Sequence, residues 1–291
     1  MSNGTGIRRL VAAAGVVGVL WGIAQYVLQG PYSMRSRFRH AAMVELARVG
    51  GARRVLTDAD LVGLPEPVAR YVRRTGSVGR PIVTSFRARI HGRIRAGVDR
   101  PWMPFVGEQV NTYGDEPNRL FFITAAMKGL PTDIFHEFVD ESANMTVKVF
   151  SLVTIVDARG PDMNRSETVT ILNDMCVLAP ATLIDPALTW KALDDRHVVV
   201  ILDRFDETVS ATLTFDDDDR LVDFVSDDRS RSSSDGRSFT PQRWSTPLSA
   251  QRDFDGRRVM AHGEARWHAP LPEGEFPYLD FDLDAITYNV G

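Results

Sequence analysis

Hydrophobic side chains that recur at every second residue constrain this chain more than any other feature. In VTSFRARIHGRIRAG, residues 83–97, Phe86, Ala88, Ile90 and Ile94 fall on one face of an extended segment, and Arg87, Arg89, His91, Arg93 and Arg95 fall on the other. The pattern predicts a half-buried strand with a solvated arginine row. TVSATLTF repeats it, with Val209, Ala211, Leu213 and Phe215 against Thr208, Ser210, Thr212 and Thr214, and LDFDLDAI sets Leu279, Phe281 and Leu283 against Asp280, Asp282 and Asp284. Alternation this regular marks an antiparallel sheet with one wet face. Strands are expected from about Ile82 onward and at 119–127, 133–140, 145–157, 196–203, 208–215, 221–226, 243–254, 257–267 and 278–288.

Helical patterning is scarce by comparison. RSETVTILNDMCVLAP and PATLIDPALTW read as helices bounded by Pro161, Pro180 and Pro186. The expected fold class is therefore α+β, a large curved antiparallel sheet, half-barrel-like, with a small helical insert. DDRSRSSSDGRS, residues 227–238, reads as a mobile polar loop. Ahead of the sheet, SMRSRFRHAAMVELARVGG predicts a basic helix stopping at Gly50 and Gly51. In LPEPVARYVRRTGSVG, Pro67 suits a first helical turn, Val68, Tyr71 and Val72 share one face, and Gly76 suits the cap of a short docking helix.

LVAAAGVVGVLWGIAQYVL, Leu10–Leu28, contains no charged side chain. As a helix it would extend roughly 28 Å, close to the hydrocarbon thickness of a bilayer. No small-x-small cleavage pair precedes Gly30, which favours a retained transmembrane anchor over a cleaved signal or a buried core helix. Trp21 and Tyr26 suit a lipid interface. Arginines flank both ends (Arg8 and Arg9, then Arg35, Arg37 and Arg39), so flanking charge tilts only slightly toward a cytoplasmic C-terminal side. The expectation is a membrane protein with a single N-terminal anchor; the side on which the β domain lies stays open, with a lean toward the outside of the cytoplasm. The organisation reads as a tail at 1–9, the anchor at 10–28, a helical juxtamembrane segment at 29–80 and an antiparallel β domain at 81–291.

Residues 41–291 carry 29 basic against 38 acidic side chains, a balance that disfavours nucleic acid as a partner. A single cysteine, Cys176, excludes an internal disulfide and a cysteine-rich zinc site. There is no phosphate loop, dinucleotide fingerprint or GxSxG elbow, so no cofactor is expected. His136 and Glu137 in FHEFVD must point to opposite faces of a strand and cannot share a metal. Asp216–Asp219 lacks the glycine and alternate spacing of a calcium loop and reads as a solvated hairpin turn. Asp174 beside Cys176 reads as a buried helical pair more readily than as a nucleophile. No catalytic set emerges, and the chain reads as a non-enzyme.

What recurs is large apolar side chains, more than so little helix can cover: Trp102, Phe105, Phe121, Phe122, Met127, Phe135, Phe138, Met145, Leu183 and Trp190, with Phe150 among them in sequence. They read as core or as the lining of a groove for an apolar ligand. LPEPVARYVRRTGSVG, PWMPFVGEQ, APATLIDPALTWKALDD and ARWHAPLPEGEFPYLDFDLDAITYNV resemble the recurring blocks of a bacterial domain-of-unknown-function family often preceded by a membrane segment, and the resemblance brings no activity. The order of strands and helices is similar to LolA-type lipoprotein carriers, which implies a half-open barrel holding acyl chains under a helical lid. The leading expectation is a membrane-tethered binding or carrier domain for an apolar ligand, with lipid and the membrane as partners and oligomeric state open. A structural or partner-binding envelope module without a pocket and an unrecognised hydrolase stand behind it.

Overall fold

The computed structural model of the protein describes Gly22, residues 25–49 and residues 54–290. Most of the run Leu10–Leu28 therefore lies outside the described residues. Among the described residues no helix is long and apolar enough to cross a membrane.

Sixteen strands appear among the described residues. They are β1 (Ser85–Ile94), β2 (Met103–Thr112), β3 (Asn118–Met127), β4 (Leu130–Val139), β5 (Ser142–Val149), β6 (Val153–Arg159), β7 (Leu188–Ala192), β8 (His197–Arg204), β9 (Glu207–Phe215), β10 (Leu221–Ser226), β11 (Ser230–Ser232), β12 (Phe239–Pro241), β13 (Trp244–Ser245), β14 (Leu248–Phe254), β15 (Arg257–His268) and β16 (Glu275–Tyr288). Fourteen form one curved antiparallel half-barrel sheet in the order β6-β5-β4-β3-β2-β1-β16-β15-β13-β10-β9-β8-β7, with β14 also paired to β15. Among the described residues it is accompanied by the helices α1 (Met34–Arg48), α2 (Glu66–Arg74) and α3 (Pro161–Val177). The α+β half-barrel read from the sequence is the observed architecture.

Both faces of the first sheet half are covered, by different helices. Period two sends Phe121 and Ile123 to the inner face, where α3 spans from β5 and β6 across to β9 and β10. It sends Leu120 and Phe122 to the outer face, where α1 lies over β2, β3 and β4. Met34, Phe38 and Ala42, spaced by four, form the buried stripe of α1. Phe38 stacks on Phe122 at 5.5 Å and meets Phe135 edge-on at 5.8 Å. Helix α2 presents Val68, Tyr71 and Val72 inward, and the Tyr71 hydroxyl donates to the Cys176 carbonyl at 2.7 Å. Gly76, with φ of 70°, follows it as expected.

Several local expectations need correction. PATLIDPALTW is not a helix: only Pro180–Thr182 makes a 3₁₀ turn, and the rest leads into β7, because Pro186 ends any helix before it can propagate. Residues 145–157 form two strands, since Phe150 and Ser151 turn the chain at φ of 54° and 56°. Residues 243–254 likewise divide into β13 and β14. The segment 227–238 contributes β11, which pairs with β12. Its Gly236 sits so close to β6 that a Cβ there would lie 2.7 Å from the Val156 side chain. Strand β2 has no counterpart among the expected strands.

Asp216–Asp219 is the β9–β10 turn. Asp216 accepts from the backbone N–H groups of Asp218 and Arg220 at 3.0 and 2.9 Å and from the Arg220 side chain at 2.7 Å, while Arg70 of α2 reaches Asp219 at 2.7 Å.

Candidate functional site

The register of β2, β3 and β4 brings polar side chains together on the inner face, where the alternation of β1 and β9 would lead one to expect apolar ones. Asn111 lies opposite Arg119, and Phe121 lies opposite His136. Above them, Glu167 and Asp174 are seven residues apart on α3, two turns, and so project from one side of the helix. Arg119 joins the two, its Nε donating to Asp174 at 2.8 Å and its Nη1 to Glu167 at 3.0 Å. Gln109 and Asn111 donate to the same Asp174 oxygen at 2.7 and 3.0 Å. His136 Nδ1 lies 3.3 Å from Glu167, and Arg229 reaches to 4.0 Å from it. Arg119, Glu167 and Asp174 are all buried.

The environment separates the two carboxyls. Burial alone would raise Glu167, but the Arg119 charge, the hydrogen bond from His136 and the Arg229 charge outweigh it and hold the group down at about 2. At Asp174 burial prevails over Arg119 and Asn111 and lifts the carboxyl above its ordinary value. Every acceptor contact described here is taken by a side chain of the protein itself. Chemically the cluster is a clamp between α3 and the sheet, and a bound molecule would reach it only if α3 withdrew. Cys176 next door is fully buried and its thiol is pushed up by burial, which removes the thiolate a nucleophile requires. Among the described residues no group of three or more His, Cys, Asp and Glu side chains could hold a metal ion. His136 and Glu137 do diverge: the first faces Glu167, the second pairs with Arg37 of α1.

A further displaced carboxyl lies on β10. Burial raises Asp223 to about 6, against the Phe224 N–H and Arg266, with Glu275 adding to the rise. The folded chain thus holds this proton more tightly than the unfolded chain does. Its contribution to stability is complete below the ordinary value of 3.8 and is lost as pH rises through about 6. Asp223→Asn should therefore stabilise the protein at pH 8 by about 1–2 kcal/mol, discounted for the group's partial exposure, and do nothing at pH 3. Urea midpoints of both chains at the two pH values check this, and equal midpoints at pH 8 would contradict it.

The ten apolar candidates do not share one surface. Phe105, Phe121 and Phe138 belong to the inner core with Met145 packed against it, whereas Phe122 and Phe135 belong to the outer cluster beneath α1. The reason is the strand period: Phe121 and Phe122 are adjacent and must face opposite ways. Phe138 meets Phe205 edge-on at 5.2 Å. Leu183, fully buried, belongs to the same inner core, Trp190 of β7 at the far edge of the sheet packs against it, and Met127 ends β3. Trp102 lies under Arg93 and Arg95, at 4.7 and 4.6 Å.

Two open clefts among the described residues lie away from α3. One, about 360 Å³ and largely apolar, lies where β2, β3 and β4 meet at the lip of the sheet and is lined by Pro104, Phe105, Val106, Ala125, Ala126 and Pro131, with Thr124 and Gly129. Phe105 is the one sequence candidate in its wall. The other, also about 360 Å³, carries Arg35, Arg89, Glu108 and Asp284 and is more polar. Arg35 of α1 donates to Thr124 at 3.0 Å, so the start of α1 borders the apolar cleft.

An antiparallel half-barrel with one helix seated in its concavity by a buried ionic clamp defines the architectural class. The chain belongs to DUF6544, a family of unknown function, whose model matches residues 54–281. No curated protein matches it. In fold it is similar to a putative outer membrane lipoprotein-sorting protein domain from Vibrio parahaemolyticus, with a TM-score of 0.41, 8% identity, and 71% of this chain and 86% of that one covered. It is similar to a LolA superfamily protein from Nitrosomonas europaea, with a TM-score of 0.39, 14% identity, and 75% and 91% coverage. It is also similar to a DUF1329 family protein from Desulfovibrio piger, with a TM-score of 0.38, 12% identity, and 77% and 92% coverage.

Proposed function

We propose that the protein is a membrane-tethered binding domain that receives an apolar ligand, a lipid acyl chain for example, in the cleft at the lip of the half-barrel. The observation that supports this reading is the position of that cleft. Its wall is apolar, its small residues Ala125, Ala126 and Gly129 leave space beside Phe105, and it borders the start of α1, which follows the uncharged run Leu10–Leu28 by a few residues. At about 360 Å³ it falls at the small end of the range for ligand sites. Each methylene buried there would contribute about 0.8 kcal/mol. On this reading Leu10–Leu28 stays in the bilayer, the β domain stands outside the cytoplasm, and the chain binds and releases without catalysis.

A second reading, a partner-binding module with no ligand, is favoured by the burial of α3 from Ser166 to Val177 on the inner face. Native mass spectrometry and organic extraction of protein purified from membranes separate the two. Wild type should carry lipid, and Ala126→Trp, an exposed position of the cleft wall, should lose it at an unchanged melting temperature. Lipid-free wild type would give first place to the partner module.

A further inference from the structure

We propose that the tips of the β3–β4 and β5–β6 hairpins dip into the lipid headgroup region beside the anchor, so that the domain is docked on the bilayer at a fixed face and does not merely hang from a tether. The inference rests on the membrane reading of Leu10–Leu28 given above.

Several exposed apolar side chains gather at this place. Leu152 and Val153 are 65% and 61% exposed, Ile155 and Leu130 are exposed beside them, and Tyr32, just ahead of α1, is 89% exposed. Large apolar groups presented together to water mark an interaction surface. The local charge suits lipid. VKVFSLVTIV, residues 147–156, contains Lys148 and no acid, and the other tip carries Lys128. The nearest acid of that second hairpin, Asp133, is buried and takes hydrogen bonds from Ser151 and Thr124. Lysines without exposed carboxylates beside them favour anionic headgroups.

The covalent geometry places the same tips near the bilayer. The Met34 N–H donates to Ser151 Oγ at 3.4 Å, so the start of α1 is fastened to the β5–β6 turn. The Phe150 N–H donates to the Pro131 carbonyl at 2.8 Å, which fastens the two tips together. Six residue steps separate Leu28 from Met34, and even a fully extended chain of that length spans only about 20 Å. The tips therefore cannot be far from wherever the uncharged run ends.

The turn itself departs from ordinary hairpin chemistry. Two central residues at positive φ call for Asn-Gly, and here they are Phe150 and Ser151. An apolar ring held at the tip, at a position that local preference would give to glycine, fits a tip that works in lipid. Strand β6 lies at the end of the sheet, and Gly236 covers only its second half, so Val153 and Ile155 remain open. An apolar edge of this kind requires a cover.

The test uses the full chain in vesicles of phosphatidylethanolamine and phosphatidylglycerol. Leu152→Cys and, on the α2 side of the domain, Val62→Cys are each labelled with a polarity-sensitive fluorophore; native Cys176 is fully buried and does not react in the folded protein. Both variants should float with the vesicles. The label at 152 should shift to the blue, lose access to aqueous iodide and be quenched by nitroxides on the lipid chains, while the label at 62 stays wet. If the protein floats and both labels are equally open to iodide, docking is overturned and the anchor stands. A protein that does not float overturns both. A label at 152 that is already shielded in detergent, and that lipid nitroxides do not quench, assigns the patch to a second copy along β6 and likewise overturns the proposal.

Discussion

Arg119→Met is expected to cost the domain about 3–5 kcal/mol, because it removes the cation that neutralises two buried carboxylates and leaves them without their shared partner. Arg119 is the one side chain bonded to both Glu167 and Asp174. Its loss should show as a large fall in the urea midpoint at pH 7. The pH dependence should change with it. In the wild type Glu167 is held at about 2, below its ordinary 4.5, so its contribution is complete above 4.5 and is lost as pH falls toward 2. Without Arg119 burial again raises the carboxyl, so the loss that Glu167 contributes on acidification should shrink or reverse, and the gap between variant and wild type should narrow as pH falls below 4.5. Adding Glu167→Gln and Asp174→Asn to the same chain should recover much of the stability, since the penalty comes from unpaired charge and not from missing volume. Recovery of nothing by the triple variant would show that Arg119 acts through packing instead.

Phe38→Ala should be nearly as damaging, at about 3–5 kcal/mol, for an apolar reason. Phe38 is fully buried and is the central contact of a small cluster with Phe122 and Phe135 that is separate from the main core. A large core can relax around a cavity, but this one has few neighbours with which to fill it. Amide exchange in α1 should therefore accelerate far more than exchange in α3. Equal acceleration in both helices would mean that the outer cluster is not an independent unit.

The sequence made the architecture legible wherever a strand has one wet face. Strands β1, β9 and β16 alternate because one side of each packs inward and the other meets solvent. Strand β2 escaped notice for a physical reason: MPFVGEQVNT sends Gly107, Gln109 and Asn111 to the inner face, so its polar side chains point in and the period dissolves. Their counterpart is visible as Glu167 and Asp174 at a seven-residue spacing on one side of α3. Neither partner strand nor cation could be matched to them without knowing the register. The ten-residue apolar set assumed a single uncovered face, and α1, read only as a basic helix, is the second cover. The β5–β6 turn was hidden because Phe150 and Ser151 carry no turn signature.

The pairing of β1 with β16 has a consequence for how the chain is made. Phe86 is bonded in register opposite Tyr288, and Ile94 opposite Leu279, so a seam in the middle of the sheet joins strands nearly two hundred residues apart in sequence. Strands β1 to β6 form a local meander that can assemble as it emerges during synthesis, whereas the seam must wait for β16. Through that interval the free side of β1 offers a full row of unpaired amides and carbonyls beside Phe86, Ala88 and Ile90. The arginines alternating with them on β1 make that waiting edge strongly cationic, and like charge resists the approach of a second nascent chain. The row that lies along the outer face in the finished fold, where Arg93 pairs with Asp280, is thus also a safeguard against mispairing before the fold is complete.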